Sequence, residues 1–74
     1  MKVGDIVRLS NYGIEREFNK QITIEDPYQI GIIVSLYGNY AAYPYKIRWT
    51  KLSKYNSKFQ THARREIKHA KKTN

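Results

Sequence analysis

Two histidines and six carboxylates, with no cysteine, are the residues of this 74-residue chain best suited to acid–base work or metal binding. His62 and His69 have only Glu66 between them as an acid, too few donors for a metal that takes three or four protein ligands. Glu15 and Glu17 flank Arg16, and Glu25-Asp26 precede Pro27. Paired carboxylates do acid–base work where a desolvated pocket sets their pKa values apart, and these stand in a polar stretch without one. Ion pairing within the chain and turn capping are their expected uses. There is no glycine-rich phosphate loop, no thiol nucleophile, and no Ser–His–Asp set on a scaffold large enough to position it. These residue types argue against an enzyme, a metal protein, and a binder of cofactors or small-molecule substrates.

The cations are a different matter. Residues 1–37 hold four Lys and Arg against five Asp and Glu, whereas residues 38–74 hold ten against one, Glu66. A solubilising surface mixes signs; a one-sided field instead attracts polyanions, because the attraction of many cations sums. The basic set is Lys46, Arg48, Lys51, Lys54, Lys58, Arg64, Arg65, Lys68, Lys71 and Lys72, and most of the aromatic residues share that half. Tyr37, Tyr40 and Tyr43 lie close together ahead of it and offer rings on which bases can stack, or a tyrosine cover over a loop. Charge interleaved with aromatics is the composition of a surface that grips a nucleic-acid backbone. A basic face that docks on an acidic protein surface is the alternative.

The bulk numbers set limits on the scaffold. Seventy-four residues make one small domain, with an apolar fraction of 41 % sufficient for a single core. The absence of cysteine removes disulfides and suits a reducing compartment. No apolar run approaches the ~18–20 residues of a membrane helix, and Asp5 interrupts the start where a signal peptide needs apolar residues. A cytoplasmic protein, or one assembled into a virion, is expected, with no membrane partner.

Strands must position the cations. Val3 to Leu9 reads as a turn running into a strand, with Val3, Val7 and Leu9 on one face and Ile6 and Arg8 on the other. Residues 10–28 form a long polar excursion in which Gln21-Ile22-Thr23-Ile24 alternates as a short strand or hairpin arm. Gln29 to Tyr37 is dense in β-branched residues and predicts a strand with Ile30, Ile32, Val34 and Leu36 inward and Ile33 outward. Gly38-Asn39 signals a turn. Tyr45 to Thr50 alternates again, with Tyr45, Ile47 and Trp49 inward and Lys46 and Arg48 outward, and a short strand around Phe59 follows. Residues 61–70 fit either a helix or a turn at Ala63–Glu66 followed by a strand at Ile67–His69. Ala63, Ile67 and Ala70 are too few for an apolar helix stripe, which favours the turn and strand. The expected core is Val3, Val7, Leu9, Ile32, Val34, Leu36, Tyr45, Ile47, Trp49, Phe59 and Ile67.

Five short strands, a long first loop and a turn before the last strand resemble an SH3-like small β-barrel. Gly4-Asp5-Ile6-Val7 and Gly31-Ile32-Ile33-Val34 resemble the halves of a KOW-type motif, found in ribosomal proteins and a transcription elongation factor, although the loop between them is longer here. Tyr45-Lys46-Ile47-Arg48-Trp49 and the late Arg64 to Ile67 are similar to segments of short SH3-like proteins encoded by bacteriophages. The resemblance implies an all-β, five-stranded barrel over residues 1–70 with a basic flexible tail at 71–74. Its implied function is non-enzymatic nucleic-acid binding, tolerant of sequence, with RNA favoured over DNA. The alternative is a protein-interaction or assembly module, such as a virion component or host-binding factor, with outward Ile33 and with Tyr40 and Tyr43 in its contact patch.

Overall fold

Alternating apolar residues build most of the sheet in a computed structural model, which describes residues 1–38, 41–52 and 59–70. The strands are β1 (Ile6–Leu9), β2 (Gly31–Leu36), β3 (Tyr45–Trp49), β4 (Phe59–His62) and β5 (Ile67–His69). They form one antiparallel sheet in the order β4-β3-β2-β1-β5. A 3-10 turn at Arg64–Glu66 leads directly into β5, as the sequence predicts for residues 63–69. Among the described residues β4 and β5 each pair on one side only, so the sheet is open rather than closed into the expected barrel.

Nor is the fold purely β. The excursion after β1 contains α1 (Asn11–Glu15), a 3-10 turn at Glu17–Asn19 and α2 (Lys20–Glu25), where the alternation at 21–24 predicts a short strand or hairpin arm. The physical reason lies in partners. β1 is already bonded to β2 and β5, whereas a helix satisfies its own backbone and can dock through one side chain. Ile22 is that side chain, while Ile24 stays exposed. The Gln29 amide then ties α2 to the end of β3: Nε2 donates to the carbonyls of Ile22 (3.0 Å) and Lys51 (3.1 Å), and Oε1 accepts from the Lys51 amide at 2.7 Å.

The core is Val7, Leu9, Ile22, Ile33, Ile47, Trp49, Leu52 and Ile67, with Met1, Ile14 and Tyr45 packed against it. Here β2 corrects the sequence reading, because its faces are inverted. Ile33 is 1 % exposed whereas Ile32 is 36 % exposed, with Leu36 also outside and Val34 half-buried. Ile30, Ile32, Val34 and Leu36 outnumber the apolar side chains of the other face, so alternation alone points the wrong way. Gly31 chooses: a Cβ there would meet Ile47 Cγ2 at 2.6 Å and Trp49 Cε3 at 2.9 Å, so this position must lie inward, under the tryptophan. Phe59 and Val3 are likewise exposed rather than core.

Candidate nucleic-acid interface

The period of two sends alternate residues to the face opposite the core. On that face the pairing register lines up Phe59 (β4), Arg48 (β3), Ile32 (β2) and Ile6 (β1) in one row across four strands. Beside it Lys46 stands opposite Thr61, and Arg8 opposite Lys68 on β5. The Lys46 ammonium lies 5.1 Å from the centre of the Phe59 ring. None of these four cations has a carboxylate partner among the described residues. Arg8 and Lys68, directly opposed with like charge, form a cross-strand pair that lowers sheet stability. A shallow hollow of about 210 Å³ opens between Ile32, Arg48, Trp49 and Thr50 on this face.

Not every predicted site residue joins it. Lys51 is taken by Asp26, its ammonium 3.0 Å from the carboxylate. That carboxyl is held below its ordinary pKa first by the hydrogen bond from the Tyr28 amide and then by Lys51. Arg64 donates Nη1 to the Ile67 carbonyl at 3.0 Å, bracing the turn into β5. Tyr37 is exposed at the end of β2, its amide bonded to the Pro44 carbonyl. Tyr40, Lys54, Lys58, Lys71 and Lys72, with the proposed tail, lie outside the described residues.

Arg65 and Tyr43 belong to a second cluster, together with residues that sequence reasoning passed over. The guanidinium groups of Arg16 and Arg65 both lie against the Tyr12 ring, 4.8 and 4.6 Å from its centre. Phe18 and Tyr43 meet edge to face with ring centres 6.0 Å apart. A groove of about 320 Å³ runs between these groups, and a second hollow of about 280 Å³ continues past Phe18 and Tyr43 to Gln60 and Thr61. The available signal was two aromatic residues, Tyr12 and Phe18, in an otherwise polar stretch.

Behind the groove lies a buried His–carboxylate pair. His62 Nδ1 is 3.0 Å from Glu66 Oε1, and both side chains are almost fully buried. Trp49 Nε1–H can only donate, and it donates to His62 Nε2 at 3.1 Å. The remaining proton therefore sits on Nδ1 and points at Glu66. Asn19 Nδ2 donates to the same carboxylate oxygen at 3.1 Å and to the Gly13 carbonyl at 2.9 Å, and the Ala63 amide donates to Glu66 Oε2 at 3.1 Å. Burial holds the His62 pKa below its ordinary value against the opposing pull of Glu66. Both ring nitrogens are occupied, and the network joins β3, β4 and the helical excursion. No cluster of three potential metal-binding side chains occurs among the described residues, and none of their helices is long and apolar enough to cross a membrane.

No family model, curated protein or solved structure matches the chain.

Proposed function

We propose that this chain is a non-enzymatic nucleic-acid-binding protein of SH3-like architecture that engages phosphate through the outer face of its sheet. The observation that carries the reading is the opposed pair Arg8 and Lys68, on a face shared with Lys46 and Arg48, none of the four paired with a carboxylate among the described residues. Stability alone disfavours that pairing, whereas a bound polyanion turns the repulsion into attraction. The strand order, with a 3-10 turn entering the last strand, supports the architecture. Among the described residues no Asp, Glu, Asn or Gln occupies this face of a strand, so binding rests on phosphate contacts and is expected to tolerate sequence. Exposed aromatic residues favour RNA over DNA through unpaired bases. The cytoplasm, or a virion if the chain is phage-encoded, is the expected setting.

The test is charge reversal. Lys46→Glu with Arg48→Glu should weaken binding of a labelled oligonucleotide by about tenfold or more at near-physiological salt while the melt stays cooperative. Unchanged affinity overturns the proposal. A second reading draws on the exposed Ile6, Ile32 and Phe59 between those cations: an acidic protein surface with apolar anchors would fit the same face. Capture of a specific acidic protein, without oligonucleotide binding, would favour it.

A further inference from the structure

We infer that the groove between α1 and the 3-10 turn at Arg64–Glu66 is a stacking site for an unpaired nucleotide, so the chain binds single strands in preference to duplex. This deepens the proposed function and rests on it. Two guanidinium groups, those of Arg16 and Arg65, are held against one tyrosine ring with no carboxylate partner among the described residues. Arg16 also donates Nη1 to the Tyr12 hydroxyl at 3.4 Å; an arginine held against a ring keeps its other N–H groups for phosphate, and the ring fixes it before any ligand arrives.

Their placement is built into the backbone. Ser10 Oγ donates to the Arg65 carbonyl at 2.6 Å and the Ser10 amide to the Glu66 carbonyl at 2.9 Å, locking α1 onto the 3-10 turn that carries Arg65. Gly13 permits the approach, since a Cβ there would collide with the Glu66 carbonyl. Glu66 borders the groove, but its carboxylate is 2 % exposed and occupied by His62, Asn19 and the Ala63 amide, so both arginines remain available to an anion.

Beside this anion site stand two exposed rings, Phe18 and Tyr43, with open volume on either side of them. A cationic pair next to exposed aromatic faces matches the chemistry of one nucleotide: phosphate on the arginines, base on the rings. A volume of about 320 Å³ is at the low end of small-molecule clefts, enough for a flat ring at the surface and not for a buried ligand. Bases within a duplex have both faces covered by their neighbours, so only a splayed base can enter. A phosphopeptide would use the arginines and leave the rings idle.

The test measures binding of a short single-stranded RNA and of a hairpin duplex of the same composition. It compares the wild type with Phe18→Ala plus Tyr43→Ala, with Arg65→Gln, and with the outer-face charge reversal. Both rings are exposed, so the double variant keeps its fold. It should lose about tenfold or more in single-strand affinity while duplex affinity stays within about twofold. Arg65→Gln should weaken the single strand more than the duplex, and the outer-face variant should weaken both. Single-strand affinity that ignores the ring substitutions overturns the stacking site and leaves the outer-face reading intact. A wild type that binds neither RNA overturns both, and a phosphoserine peptide bound equally by the ring variant reassigns the arginines to a peptide.

Discussion

A histidine sealed between an indole N–H and a carboxylate has one comfortable protonation state. A proton on His62 Nε2 would face the Trp49 N–H across 3.1 Å, and burial already disfavours the charged ring. The folded pKa is thus depressed below the ordinary 6.5 of a solvated histidine. The unfolded state takes up the proton first, so this residue's contribution is fully present above about pH 6.5 and is lost as pH falls toward the folded value. Urea unfolding from pH 8 to pH 5 should show stability declining below that point, by up to about 1.4 kcal/mol per pH unit. A flat profile across this range would contradict the tautomer and the network together. The residue types showed His62 and Glu66 as poor metal ligands, but their burial was illegible because Asn19, Trp49 and Gly13 reach them only through the tertiary fold.

At the scale of elements, β2 decides the core. Ile33→Ala removes a side chain that is 1 % exposed and should cost about 2–5 kcal/mol, whereas Ile32→Ala on the outer face should cost well under half of that. Thermal melts of the two variants check the register; equal losses would contradict it. β1, β3, β4 and the turn into β5 were legible from alternation and from the shortage of apolar residues for a final helix. The facing of β2 was not, because Ile30, Ile32, Val34 and Leu36 outnumber the true inward side chains, and the deciding signal was the missing one at Gly31. The alternation of residues 21–24 misled for a related reason: no strand edge of β1 was left for them. Lys46 and Arg48 were legible as outward residues. The Tyr12 cluster was not, since Arg16 and Arg65 stand far apart in the chain and meet only because Ser10 and Gly13 bring α1 against the 3-10 turn.

Among the described residues most of the cations without a carboxylate partner lie in two places, the outer sheet face and the groove beside α1, while Lys51 is neutralised by Asp26 and Arg64 braces its own turn. The excess of charge in the second half of the chain is therefore only partly pooled, and Arg8 and Arg16 from the first half join it. A face that displays unpaired cations should bind through counterion release, which makes affinity fall steeply with salt. Oligonucleotide affinity measured across a salt series tests this most directly. If Arg8, Lys46, Arg48 and Lys68 each neutralise one phosphate, the slope of log affinity against log salt is about −3 or steeper, and shallower by about half after Lys46→Glu with Arg48→Glu. A slope near zero, or one that this double substitution leaves unchanged, would contradict phosphate binding by the sheet.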